Sequence, residues 1–271
     1  MTKVIAIANQ KGGVGKTTTT LNLGVGLARA GNKVLLVDAD PQGDLTTCLG
    51  MQEKYGGTLN TLMKSAIEEI PVQSTDVIVH HEEGVDLIPS DLELSAMEMM
   101  LVTAMSREQT MRNGFADIKD KYDYVLIDCM PSLGMITINA LAASDSVIIP
   151  VQSQYLPAKG MTQLIQSVKR VKRHINPNLK IEGVLLTLTD GRTNLSKDTS
   201  RMLRQNYGEV LRIFKSEIPV AVKAAEMSAS GKSLFSYDPN GKATQAYADF
   251  TKEVIHSGEK QRAKHETTFS R

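Results

Sequence analysis

Five stretches of the chain are apolar with little polar alternation: Val4 to Ala8, Lys33 to Asp38, Tyr122 to Asp128, Ser146 to Val151 and Lys180 to Leu188. Continuous runs of this length mark strands covered on both faces of a parallel sheet. Between them the pattern changes to a helical one. Thr17 to Ala30 sets Leu21, Leu23, Val25, Leu27 and Ala28 among small residues and closes at Gly31, a helix stop. Further helices are predicted over Leu133 to Ala143, Ala158 to His174, Ser196 to Asn206 and Gly241 to His256, the last with Ala246, Tyr247, Phe250 and Val254 on one face. Strand, helix and strand at these spacings make right-handed βαβ units. The expected fold is therefore α/β: a doubly wound, mostly parallel sheet with helices on both faces.

Residues 51–84 carry the weakest pattern, with a short helix from Leu59 to about Ala66 and a β-like piece at Val77 to Val79. Val85 to Pro89 is a better strand. A helix after it holds Met97, Met99, Met100, Met105 and Met111, which reads as core filling or a subunit contact, since thioethers fit irregular gaps.

Composition adds three constraints. At 271 residues and 41% hydrophobic content, one domain over 1–257 is expected, followed by a polar, frayed tail over 258–271. Two cysteines, Cys48 and Cys129, without a C-x-x-C pair or histidines at metal spacing support neither a disulfide framework nor a zinc site. No apolar segment approaches the length of a membrane span, so a cytoplasmic protein is expected. The net charge of +1 hides an asymmetry: residues 1–150 hold 11 Lys and Arg against 19 Asp and Glu, whereas residues 151–271 hold 20 against 11. A basic second half suits a polyanion such as DNA.

The chemistry is concentrated at strand ends. After the first strand comes Lys11-Gly12-Gly13-Val14-Gly15-Lys16-Thr17-Thr18, leading into the first helix. Such a loop turns successive backbone N–H groups inward and ends on the positive end of a helix dipole, a cradle for phosphate oxygens. Lys16 would reach the terminal phosphates and Thr17 would hold Mg2+. Gln10 stands where the general P-loop has glycine, and Lys11 is an additional lysine. The second strand ends in Asp38-Ala39-Asp40-Pro41-Gln42-Gly43-Asp44, and Asp44 reads as the N-cap of a following helix. Tyr122 to Asp128 has the Walker B form, an apolar strand delivering Asp128 to a magnesium site.

These motifs together resemble the deviant Walker A ATPases of the ParA/MinD family, closest to small ParA proteins, across about residues 1–256. The resemblance implies a P-loop NTPase fold, with ATP and Mg2+ as cofactors. It gives Lys11 the role of reaching across an ATP-dependent homodimer to the partner's phosphates, and Asp40 that of orienting or activating the attacking water. Asp38 would lie close to the Mg2+ shell, and Pro219 would border the adenine. It also implies non-specific binding to duplex DNA, a ParB-type partner, no membrane attachment and a nucleoid-associated protein without an extra N-terminal DNA-binding domain. Positioning of a plasmid, mobile element or chromosome region is the function implied.

Gln152 to Gly160 and Thr189 to Asn194 also look like family segments. Four positions depart from the family pattern. Met130 replaces one of two prolines after Asp128. Val220 and Ala221 stand where arginine and asparagine are usual, and Lys223 where a second arginine is usual, which leaves the adenine contacts unassigned. Resemblance and charge asymmetry together nominate Arg170, Arg192, Arg204, Lys215 and Lys223 for DNA contact. Three rivals are a MinD-like membrane-associated ATPase, a reductase resembling nitrogenase iron protein, and a small-molecule synthetase or kinase on this fold. The first lacks an apolar face in the tail; Cys48 and Cys129 do not match the second; the third needs a shaped acceptor pocket.

Overall fold

The computed structural model describes residues 2–52, 55–153 and 158–269. Its centre is an eight-stranded sheet: β1 (Lys3–Ile7), β2 (Val34–Ala39), β3 (Val79–His80), β4 (Asp86–Ile88), β5 (Tyr124–Cys129), β6 (Ser146–Gln152), β7 (Lys180–Thr189) and β8 (Ile213–Pro219). The strand order is β3-β4-β2-β5-β1-β6-β7-β8, parallel throughout except for the β3–β4 hairpin at one edge.

The apolar runs occupy the middle of the sheet, as their burial requires. Successive residues of each strand feed opposite cores. Val4, Leu35, Val37, Val125 and Ile127 pack on one face beneath helices Leu59–Glu68, Leu94–Thr103, Met135–Ala143 and Ala158–His174. Ile5, Ile7, Leu36 and Leu126 pack on the other, against Leu21, Leu23 and Leu27 of helix Lys16–Arg29 and Tyr247, Phe250 and Val254 of helix Lys242–Phe269. The same alternation aims Asp38 and Asp128 at the face carrying the helix that starts at Lys16.

Three expectations change. The methionine helix is two helices, Leu94–Thr103 and Thr110–Gly114; Met97 and Met111 are buried, while Met99 and Met105 between them face outward. The edge strand β8 (IFKSEIP) was not predicted, because Lys215, Ser216 and Glu217 interrupt its apolar residues. The last helix does not stop at His256: it runs to Phe269, so the polar segment expected to fray continues it. The family-like segment Gln152 to Gly160 falls partly outside the described residues, at 154–157. Among the described residues no helix is long and apolar enough to cross a membrane.

Candidate active site

The site sits at the carboxyl edge of the central strands, the place where open α/β sheets bind ligands. A cleft of about 680 Å3 is lined there by Gly12, Gly13, Gly15, Lys16, Thr17 and Thr18, by Asp40, Pro41, Gln42 and Asp44 after β2, and by Met130 and Pro131 after β5. Its far wall is Leu188, Ile218, Pro219, Ala221, Ala224, Ala225 and Ser228. The P-loop follows β1, between β5 and β6, so the carboxylate-bearing ends of β2 and β5 flank it on one side and the ends of β7 and β8 on the other.

The loop folds this way because glycine supplies the left-handed turns at Gly13 (φ 69°) and Gly15 (φ 80°), the latter directly before the helix. Val14 does not line the cleft; it is buried, and its carbonyl accepts a hydrogen bond from Thr187 Oγ1 at 2.8 Å, which ties the loop to β7. Lys16 is buried, its Nζ donating to the Lys11 carbonyl at 3.4 Å. Lys11 is exposed on the lip, its Nζ donating to Gln152 Oε1 at 3.2 Å. The two lysines, five residues apart, thus have opposite surroundings.

Strand register places the carboxylates. Asp38 and Asp128 are direct partners across β2 and β5, both buried. Asp38 Oδ2 accepts from Thr46 N (2.9 Å) and Thr46 Oγ1 (2.7 Å), and its Oδ1 from Asp40 N (3.2 Å). Asp128 Oδ1 accepts from Thr20 Oγ1 at 3.2 Å, whereas its Oδ2 is buried with no hydrogen-bond partner. Burial raises the Asp38 carboxyl to about 7 and the Asp128 carboxyl to about 8, the latter helped by the neighbouring Asp38 charge and offset in part by Thr17 and Lys16. Burial also raises Asp40, whose Oδ1 accepts from Gln42 N at 3.0 Å. Two adjacent buried carboxylates with one orphaned oxygen are a site short of positive charge. No cluster of three or more metal-ligating side chains occurs among the described residues. The donor set fits a hard cation that takes most of its ligands from phosphate and water.

Asp44 is not an N-cap. The helix Asp44–Cys48 begins at Asp44 after Gly43 (φ 65°), and the Asp44 side chain lines the cleft. Several contributors lacked any sequence signal. Thr46 anchors Asp38 from eight residues away. The Glu98 carboxylate lies at the N-terminus of helix Met135–Ala143, Oε1 3.4 Å from Ile136 N, and a Cβ on Gly134 would overlap it. It thereby pins the end of the loop that carries Met130 and Pro131. Leu188, in the far wall, is held at φ 51°, a conformation that costs a branched residue energy and is bound at its carbonyl by Ser153 Oγ. His81 accepts the Glu83 amide at Nδ1 and so donates from Nε2 to Gly231 O at 3.2 Å, while Glu83 accepts from Ser233 N at 2.7 Å. The edge hairpin therefore clamps the segment behind Ser228.

The basic residues nominated for DNA contact do not gather at one point. Arg192 makes a bidentate pair with Asp190, which holds that carboxyl down at about 2. Arg204 binds Glu217 (2.9 Å) and Phe214 O (3.0 Å). With Lys197 and Arg201 it lines a second groove of about 370 Å3 between helix Asn194–Tyr207 and the ends of β7 and β8, at Thr189 and Glu217. Lys215 is exposed at the start of β8, Lys223 pairs with Glu226 at 3.3 Å, and Arg170 is exposed near the end of a separate helix.

Residues 2–181, containing the loop and both strand-end carboxylates, match a family described as an AAA domain. The chain is 43% identical over 262 residues to the sporulation initiation inhibitor protein Soj of Bacillus subtilis, covering 95% of this chain and all of that protein. It is 41% identical to the chromosome partitioning protein ParA of Caulobacter vibrioides, covering 97% of both.

The chain belongs to the ParA/MinD family of P-loop ATPases.

Within solved structures the fold is similar to that of cobyrinic acid a,c-diamide synthase from Mycobacterium smegmatis with bound ATP analog and magnesium (TM-score 0.82, 33% identity, 96% of both chains). In this ParA/MinD ATPase the two lysines, the paired aspartates and Asp40 lie around the P-loop at the carboxyl edge of the sheet.

Proposed function

We infer that this ATPase is a ParA-type partition switch: it binds MgATP, closes into a homodimer, binds duplex DNA without sequence preference, and releases it on hydrolysis. The observation carrying this reading is the contrast between Lys16, buried inside the loop, and Lys11, exposed on its lip beside Gln152. A single phosphate cradle needs one lysine inside. A second lysine facing outward is suited to phosphates held by another copy.

Within one subunit the roles follow from position. The P-loop amides and Lys16 bind the β- and γ-phosphates. Thr17, with Asp38 and Asp128 behind it, would hold Mg2+, which when bound neutralises phosphate charge and relieves the repulsion between the buried carboxylates. Asp40, at the cleft and tethered by the Gln42 amide, orients the attacking water in line with the γ-phosphate. Pro219 borders the nucleoside. Val14 acts as an anchor to β7.

DNA contact is assigned to the β7–β8 side, where Arg192, Arg204 and Lys223 exchange carboxylate partners for backbone phosphates, with Lys215 and Arg170 adding charge from separate positions. Exposed pairs of this kind contribute little in water, so exchange is cheap. A ParB-type partner that stimulates hydrolysis completes the cycle, and the sheet and its helices over 1–257 act as one domain with the polar end of the last helix appended.

The test is a pair of variants. Lys11→Ala is expected to keep ATP binding and lose ATP-dependent dimers in sedimentation velocity. Arg204→Glu with Lys223→Glu should lose ATP-dependent binding to random duplex DNA while still dimerising. Unchanged DNA binding in the second variant removes this face from the DNA interface. The likeness to a diamide synthase favours one rival, an ATP-dependent synthetase, for which nucleotide turnover would require a carboxylate acceptor. ATP hydrolysis without any acceptor, stimulated by DNA and a partner, argues against it.

A further inference from the structure

The chain leaves the end of β5 through a loop, residues 130–133, that leads into helix Met135–Ala143. Met130 and Pro131 line the cleft on the side of Asp40, where the ATPase reading puts the terminal phosphate. Pro131 fixes one backbone torsion of this loop; Ser132 and Leu133 carry no such restraint. The loop is held instead by the start of the helix. Thr137 Oγ1 donates to the Ser132 carbonyl at 2.8 Å, and Gly134 N to Ser132 Oγ at 3.4 Å. The loop is therefore placed only as well as that helix end is.

The helix end has no acceptor of its own. First-turn N–H groups need oxygens from outside the helix, usually one on the N-cap side chain. The N-cap here is Gly134, which has none. Glu98 supplies the acceptor from another helix: its Oε1 takes the Ile136 N–H at 3.4 Å, and its negative charge lies on the positive end of the helix dipole. The glycine is what admits it, because a Cβ at residue 134 would fall on the carboxylate. The helix that carries Glu98, Leu94–Thr103, is seated in the core by Leu94, Met97 and Leu101 and puts Ser95 on the cleft. The body of helix Met135–Ala143 is held separately, by buried Ile136, Ala140 and Leu141 and by Asn139, which donates to Arg107 O at 2.8 Å and accepts from Met111 N at 3.0 Å. Loss of Glu98 would free the loop end while the helix stays docked.

Resting on the ATPase reading above, we propose that Glu98 is a positioning residue for hydrolysis: from outside the nucleotide site it sets where Met130 and Pro131 stand against the terminal phosphate and the attacking water. Its effect belongs to turnover rather than to binding, since ADP ends before the phosphate that this loop faces. A misplacement of about 1 Å at a reacting centre costs on the order of a hundredfold in rate.

Three variants of the full chain test this. Glu98→Ala removes the acceptor, Glu98→Gln keeps an oxygen at the same reach, and Gly134→Ala displaces the carboxylate from the other side. Phosphate release from MgATP, calorimetric binding of MgADP and the NMR signal of an isotope-labelled Met130 methyl are measured for each. Glu98→Ala and Gly134→Ala are expected to lower kcat by about tenfold to a hundredfold, with MgADP affinity within about threefold of wild type, and to move the Met130 signal. Glu98→Gln should restore most of kcat and the wild-type signal. Wild-type kcat in both alanine variants overturns the proposal, and so does MgADP affinity that falls in step with turnover, which would make Glu98 a general support of the site. If Glu98→Ala does not fold, Gly134→Ala decides alone. A wild-type chain that binds MgADP and releases no phosphate overturns the ATPase reading together with any role of Glu98 in turnover, whereas an unmoved Met130 signal in a hydrolysing protein overturns the positioning role alone.

Discussion

The two ends of the cleft are built on opposite principles. At the phosphate end almost every group is polar, buried and tethered: Lys16 to the Lys11 carbonyl, Asp38 to Thr46, Asp128 to Thr20, Asp40 to the Gln42 amide. At the nucleoside end the lining is mainly apolar, with Ser228 as its polar member, and its order is imposed from behind by His81, Glu83 and Ser153. Orientation and charge are thus fixed where bonds break, and mainly shape is offered where the ligand is merely held. Preorganised dipoles matter most at the reacting atoms, which is why the investment is lopsided.

The sharpest break in this contrast is Asp40→Ala. Hydrolysis should fall by about 10²–10⁴-fold, the usual contribution of a positioned carboxylate, with MgATP affinity nearly unchanged. Normal turnover in that variant would take Asp40 out of the mechanism. Lys16→Ala is expected to weaken MgADP binding by on the order of a hundredfold, about 3 kcal/mol for a lost charged hydrogen bond, as read by calorimetry.

Gly134→Ala probes the loop between the two regions. Its Cβ would meet the Glu98 carboxylate, the free end of a flexible side chain, so urea unfolding should show a loss of at most about 1 kcal/mol, the low end for an added methyl group, and adding Glu98→Ala should recover much of it. If the double variant is as unstable as the single one, Glu98 is not the constraint.

The smallest effect is one of pH. Asp38 and Asp128 have folded values raised to about 7 and about 8, above the 3.8 of an unfolded aspartate. Between those values the native state holds more protons than the unfolded chain, so stability present below about pH 4 is lost as pH rises toward 8. Without nucleotide or Mg2+, Asp128→Asn should flatten that decline. Parallel stability curves for variant and wild type from pH 5 to 8 would contradict the assignment.

Legibility in the sequence followed the same divide. The phosphate end is written in contiguous residues: a glycine loop between strand and helix, and aspartates at the ends of apolar strands. Their neighbours in space are nearly their neighbours in the chain, and the parallel sheet follows from the same runs. The nucleoside end is assembled from β7, β8 and residues near 224 and 228, with clamps from residues near 81. Here spacing carries no signal. β8 was invisible because an edge strand needs only half its residues apolar. Glu98 and Thr46 act through contacts that appear only once the sheet has formed. Asp44 read as a cap because its local sequence fits one; Gly43 took the preceding turn, and the carboxylate was left facing the cleft.

The Asp38–Asp128 pairing has one further consequence. Side chains alternate along a strand, so sliding β2 by one residue against β5 would turn Asp38 to the opposite face and dismantle the cation site entirely. A mispaired sheet therefore cannot take up MgATP, and ligand binding stabilises only the correctly paired one, by an amount that grows with ligand concentration. In a cell rich in nucleotide, the ligand also inspects the assembly of the sheet, favouring the chains whose strands have met in the right frame.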